Sequence, residues 1–144
     1  MTTESSEWQA VGNHKVRVEG DIVFSRWQGV GSLAEIQAYH AIVERVIAER
    51  GQVYCLIDMS NTGRPTPEAR QWMTEWSRRF HVNAVAGFGA SFAVRVAVTL
   101  MMRAVRFFKG SEFLTEFFET EAEARAFLAA ERARQNTPEA RLSA

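Results

Sequence analysis

Several features that often reveal a protein's function are scarce in this sequence. One cysteine, Cys55, among 144 residues excludes an internal disulfide and suits a reducing compartment, so we expect a cytoplasmic protein. Seventeen basic and seventeen acidic side chains give a formal net charge of +0, so no overall charge draws the protein to nucleic acid or to an anionic membrane. Residues 1–9 lack the positive cluster and the apolar core of a secretory signal.

The sequence also lacks an apolar run long enough to cross a membrane. Its most apolar region, residues 82–108, is interrupted by Gly87 and Gly89 and by three arginines. The longest uncharged run in this region is about a dozen residues, whereas a transmembrane helix needs about 20. We therefore predict no transmembrane segment, and we divide this region into a buried strand and a helix.

Catalytic and metal-binding patterns are absent as well. The three histidines, His14, His40 and His81, are scattered without metal-ligand spacing. No Cys-His or Ser-His pair stands at a strand end with a supporting acid. Cys55 lies in an apolar run, which predicts a small buried side chain rather than a reactive thiol. The sequence therefore predicts no metal, no cofactor and no enzymatic activity.

What the sequence does contain is an alternation of strand and helix patterns. Residues 16–18 and 22–27 flank Gly20 and predict a hairpin. Ser32 and Glu35 form a capping box before a helix that Gly51 ends. Further strands are predicted at 53–58, 84–88 and 114–118, and further helices begin at Thr66-Pro67, after Gly89-Ala90-Ser91 and at Thr120.

This order predicts an α/β fold with a mixed, largely parallel sheet of about five strands, opened by a hairpin and accompanied by about four helices. We expect an N-terminal extension over residues 1–12, a single domain over 13–133 and a flexible tail over 134–144.

Several short segments between about Lys15 and Arg132 follow one another in a recognisable order. They are Gly20-Asp21-Ile22 with Trp27 and Gly29, then Leu56–Ser60, Pro67–Trp72, Ala84–Gly87, Phe117-Phe118 and Glu121–Ala124. This arrangement resembles the SpoIIAA-like proteins, whose fold is akin to STAS domains and to CRAL-TRIO lipid-binding modules. The resemblance implies a small non-enzymatic domain with a STAS-like fold.

The resemblance also implies a regulatory loop after the strand that ends in Asp58. STAS regulators are switched by phosphorylation of a Ser or Thr at the start of the next helix, and this chain offers Ser60, Thr62 and Thr66 there. The usual order is Asp, Ser or Thr, then Gly-Leu, whereas this chain has residues 61–65 as Asn-Thr-Gly-Arg-Pro. Alternatively, Asp58 and Ser60 bond the backbone amides of their own turn.

The third predicted helix carries a basic stripe and no acid between Ser91 and Lys109. Ser91 begins it, either as part of a weak anion cradle or as a simple N-cap. The stripe is either a surface for an acidic partner or lipid headgroup, or a solvated edge with long arginine stems covering the core. Its members at helical spacing are Arg95, Thr99, Arg103, Arg106 and Lys109.

Four aromatic residues define a further candidate site. Trp72 and Trp76 share one helix face, and Phe107 and Phe108 lie near the end of the next helix. They line an apolar pocket, pack in the core or form a dimer interface. We thus predict a regulatory or protein-interaction module that binds a protein partner or itself. The alternative is a carrier or sensor of an apolar or lipid-like small molecule.

Overall fold

A computed structural model of the chain describes residues 7–96, 100 and 114–137. Six strands form one sheet in the order β1-β2-β3-β4-β5-β6. They are β1 (Gln9–Val11), β2 (His14–Glu19), β3 (Ile22–Gly29), β4 (Tyr54–Thr62), β5 (Ala84–Phe88) and β6 (Thr115–Phe118). The helices are α1 (Leu33–Arg50), α2 (Pro67–Arg79), α3, described over residues 92–96, and α4 (Glu121–Gln135).

The sheet is mixed, as the sequence predicts. Strands β1, β2 and β3 pair antiparallel, and β3 to β6 run parallel to one another. The sixth strand, β1, lies in the segment that the sequence assigns to an N-terminal extension. Val11 is 7% exposed and pairs with His14, so the sheet begins before residue 13. At the other end, α4 continues to Gln135, just past the predicted start of the tail.

Alternating side chains of the strands build two cores, one on each face of the sheet. Val23 and Cys55 pack with α1 and α2 on one face. Phe24 and Leu56, their neighbours in sequence, pack with Leu128 of α4 on the other face. Cys55 is 4% exposed, which confirms its prediction as a small buried side chain. The parallel strands are covered on both faces, as their continuous apolar sequences require.

A buried histidine connects the β1–β2 turn to the start of α1. His14 accepts a hydrogen bond at Nδ1 from the backbone amide of Gln28 at 2.9 Å, so the Nε2 atom carries the proton. This Nε2 lies 3.2 Å from a carboxylate oxygen of Glu35, the second member of the predicted capping box. Hydrogen bonds with Ser32, and to a lesser extent the nearby ring of His14, lower the pKa of Glu35.

Candidate functional site

At the end of the sheet where the parallel strands finish, strand β4 extends beyond β5. Its pairing with β5 stops at Asp58 and Phe88, but Asn61 and Thr62 still pair with the end of β3. The predicted strand end at Asp58 is therefore wrong. Strand β3 runs to Gly29 and supplies backbone partners for these polar residues, so only residues 63–66 form the loop before α2.

Asp58 is held by side chains and backbone of its own neighbourhood. One carboxylate oxygen, Oδ1, accepts from the Ser60 amide at 3.0 Å and from the Ser60 hydroxyl at 2.7 Å. The other, Oδ2, accepts from Nε of Arg26 at 3.1 Å. These contacts match the alternative in which Asp58 bonds the backbone of its own turn. Sequence reasoning missed Arg26, because only the β3–β4 register places it opposite Asp58.

The remaining predicted loop residues stabilise local structure. The Thr66 hydroxyl accepts from the Ala69 amide at 3.2 Å and caps α2, as predicted. Gly63 donates its amide to the carbonyl of Gly29 at 2.8 Å, which fixes the loop after β4 against the end of β3. A Cβ atom at Gly63 would lie 2.9 Å from the carbonyl carbon of Gly29. The close approach of the two backbones therefore requires a glycine here.

The end of β5 adjoins the same edge. Gly89 has φ of +78°, and a Cβ atom on it would lie 2.5 Å from the hydroxyl oxygen of Ser60. Two residues further on, the Ser91 hydroxyl accepts from the Val94 amide at 3.3 Å, which is the geometry of an N-cap. The structure thus brings Ser60 and the beginning of α3 together, as one candidate contact surface requires.

Three exposed apolar side chains follow Ser91. Phe92 is 74% exposed, Val96 41% and Leu100 59%, and the spacing of Phe92 and Val96 within the helical residues 92–96 places these two on one helix face. We call these three residues the apolar stripe. The sequence shows that they are apolar, but only the fold shows that they face outward.

Arg95 lies on the same helix and is half-buried, and its Nε is buried without a hydrogen-bond partner. The other residues of the predicted basic stripe lie outside the described residues, and they are Thr99, Arg103, Arg106 and Lys109. Phe107 and Phe108 also lie outside the described residues.

The two predicted tryptophans pack between α1 and α2. Trp76 is 3% exposed, stacks on the ring of His40 at 4.0 Å between centroids and donates from Nε1 to Glu44 at 3.1 Å. Trp72 donates from Nε1 to Nδ1 of His40 at 2.9 Å. Burial lowers the pKa of His40 to about 4. These contacts describe core packing for both tryptophans.

An arginine-aromatic cluster covers the opposite face of the sheet. The guanidinium groups of Arg17 and Arg26 each lie 4.7 Å from the ring centroid of Trp8. Trp8 in turn packs edge-on against Phe24, with ring centroids 5.0 Å apart. Arg26 therefore links this cluster to Asp58 at the edge of the sheet.

The opposite end of the strands, at the β2–β3 turn, holds a polar pocket of about 680 Å³. Asp21 and Gln52 line it and are joined by a hydrogen bond of 2.8 Å, and Arg132 also binds Asp21. Its lining mixes acidic and basic side chains without an excess of either. These residues lie at the start of the parallel strands, away from Ser60 near the end of β4.

Within residues 7–96, 100 and 114–137, no group of three His, Cys, Asp or Glu side chains is arranged to hold a metal ion. Over the same residues, no helix combines the length and the apolar character that crossing a bilayer requires.

Comparison with known proteins identifies the family. The SpoIIAA-like family model matches residues 22–129, most of the chain, so the chain belongs to the SpoIIAA-like family. A crystal structure of an uncharacterized protein with a SpoIIAA-like fold from Shewanella loihica PV-4 is similar in fold, with a TM-score of 0.60. The two are 17% identical, and the match covers 88% of this chain and 99% of the other. No curated protein matches the chain significantly.

Proposed function

We propose that the protein is a non-enzymatic, regulatory protein-interaction module. The observation that carries the proposal is the exposure of Phe92, Val96 and Leu100. Gly89, three residues before Phe92, adjoins Ser60 near the end of β4. Clustered exposed apolar side chains with a polar border are typical of protein contact surfaces. Membership of the SpoIIAA-like family supports a regulatory or interaction role.

The contact surface consists of two adjoining parts. The polar part is Ser60 and Asn61, both exposed at the end of β4, together with Ser91. The apolar part is the apolar stripe. Complete burial of a Phe or Leu side chain contributes about 1.5–3 kcal/mol, so Phe92 and Leu100 have several kcal/mol to contribute on binding. The polar part sets the orientation of the partner more than the affinity.

The chemistry of the described groups supports binding rather than catalysis. Asp58, the acid at the edge, already accepts from Ser60 and Arg26. Burial raises the pKa of Cys55 to about 11, so its thiol is not a nucleophile at neutral pH. A lone buried thiol also supports a cytoplasmic location for this module. The apolar-ligand alternative gains no specific support, because His40 and Glu44 occupy the ring face and the indole N–H of Trp76.

An affinity capture tests the proposal. Tagged protein comprising all 144 residues is incubated with lysate of the source organism, and the same is done with Phe92→Ser, Leu100→Ser and the control Ala48→Ser. Ala48 is exposed near the end of α1, at the opposite edge of the sheet. We expect a defined set of proteins that both stripe variants lose and the control retains. If the stripe variants capture the same proteins as wild type, the surface is wrong. Far-UV circular dichroism verifies that each variant is folded.

A further inference from the structure

We infer that a second surface, formed by Trp8, Lys15, Arg17 and Arg26 on one face of the sheet, binds an extended acidic segment of a partner protein. We call these four residues the basic face. It shares no residue with the apolar stripe, so the inference goes beyond the proposed function and does not depend on it. Its supports are the uncovered sheet, the arrangement of its charges and its tryptophan.

No described helix packs over this part of the sheet. On this face α4 packs mainly against β4, β5 and β6. The ring of Phe24 in β3 is covered by side chains instead, because Trp8 lies edge-on against it and the guanidinium of Arg26 lies 5.6 Å from its centroid. Lys15 is exposed, and the other three residues of the basic face are partly exposed. The side chains that take the place of a second helix are thus open to a partner.

The charges of the basic face favour an anionic partner. Lys15 and Arg26 are directly opposite each other in the β2–β3 pairing, and like charges in opposed positions repel. Lys15 forms no hydrogen bond or ion pair with the residues that the structure describes. Among the same residues Arg26 donates only from Nε, to Asp58. A carboxylate placed above Lys15 and Arg26 relieves their repulsion and accepts charge-assisted hydrogen bonds.

Trp8 adds an anchor at the centre of these charges. The guanidinium groups of Arg17 and Arg26 each lie 4.7 Å from its ring centroid, which limits their freedom before a partner binds. Tryptophan and arginine are enriched among the residues that contribute most to protein–protein binding. Lys15 and Arg17 stand two residues apart on β2, about 7 Å, which is also the spacing of alternate side chains in an extended peptide.

Three other occupants fit less well. A nucleic acid carries a charge on every unit, and Glu19 and Asp58, which pair with Arg17 and Arg26, would repel it. A peptide avoids this repulsion by placing neutral residues there. A membrane surface needs apolar side chains that insert, and none of the exposed large apolar side chains of the described residues belongs to the basic face. A second copy docked through a two-fold axis would bring like charges together.

NMR titration tests the inference and detects weak binding. Isotope-labelled protein comprising all 144 residues is titrated with a synthetic peptide of about eight residues in which Glu and Thr alternate. We expect shifts in the amides of Lys15 and Arg26 and in the indole N–H of Trp8. A peptide with Gln in place of Glu should not cause them, and higher salt should weaken them.

A charge reversal separates this site from general electrostatic attraction. Lys15→Glu should weaken binding of the Glu peptide about fivefold or more, and Lys15→Gln should weaken it less. Arg45→Glu is the matched control, because it makes the same change of charge at an exposed residue of α1, on the other face of the sheet. It should leave the affinity nearly unchanged. The spectra themselves verify that each variant is folded.

Several results would overturn the inference. They are the absence of shifts at millimolar peptide, equal shifts with the Gln peptide, and an affinity that Lys15→Glu does not change. Tighter binding of an oligothymidylate at the same amides would make nucleic acid the occupant. Vesicle binding or dimer formation that Lys15→Glu abolishes would make it a membrane or a second copy. If the lysate capture depends on Phe92 but the peptide does not bind, only this inference fails. In the opposite case the proposed function loses its surface, and the basic face stands.

Discussion

His40 should make the stability of this protein depend on pH in a window that its surroundings define. The folded protein buries the ring between Tyr39 and Trp76, and burial lowers its pKa from 6.5 to about 4. The unfolded chain therefore takes up a proton that the folded protein refuses. Above pH about 6.5 the ring is neutral in both states, so His40 gives the free energy of unfolding no pH dependence there. Stability is lost as the pH falls from about 6.5 towards about 4, because only the unfolded chain binds the proton.

The magnitude follows from the two pKa values. Their difference corresponds to about 3 kcal/mol once the pH is below both, and to about 2 kcal/mol at pH about 5. The substitution His40→Gln removes the titration and keeps an acceptor for the indole N–H of Trp72. It loses the ring stacking on Trp76, which lowers stability by about 1 kcal/mol at every pH.

Urea denaturation followed by far-UV circular dichroism at pH about 7.5 and about 5 measures the effect. Wild type should lose about 2 kcal/mol more than His40→Gln between the two pH values, since only wild type carries the buried ring. His81→Gln, at an exposed histidine, should behave as wild type. An equal loss in wild type and His40→Gln would refute the reasoning.

Two further predictions concern residues that the fold encloses. Gly63→Ala should destabilise the protein by about 1–3 kcal/mol in the same urea assay, because its Cβ would meet the backbone of Gly29 at 2.9 Å and of Val30 at 3.0 Å. Gly31→Ala, whose Cβ would meet nothing closer than 3.3 Å, should cost less, and an equal cost would contradict the packing. Cys55, whose pKa burial raises to about 11, should not react with a disulfide reagent at pH about 8 until urea unfolds the protein. Rapid reaction of the native protein would show that Cys55 is accessible.

Much of the fold was predictable because local sequence and global structure agree. The capping box of Ser32 and Glu35 starts α1, and Gly51 ends it in the left-handed conformation. Alternation around Gly20 gives the β2–β3 hairpin. Continuous apolar runs identify β4 and β5, since strands covered on both faces need such runs.

The misses share one physical cause. Whether a segment pairs in the sheet depends on the neighbouring strand as well as on the segment's own residues. Strand β1 has three residues and no alternation to recognise, and it forms because β2 offers an edge. The polar end of β4 looks like a loop in sequence, yet β3 is long enough to hold Asn61 and Thr62 in the sheet. The outward direction of Phe92 depends likewise on where α3 lies, which helical spacing does not determine.

The position of β1 affects how the protein is best shortened for experiments. A version trimmed to the predicted boundary at residue 13 would lose Trp8 and its contact with the ring of Phe24. It would also leave β2 with a bare row of amides and carbonyls, which invites edge-to-edge aggregation. Binding studies should therefore keep the residues that precede His14, so that poor solubility is not mistaken for partner binding.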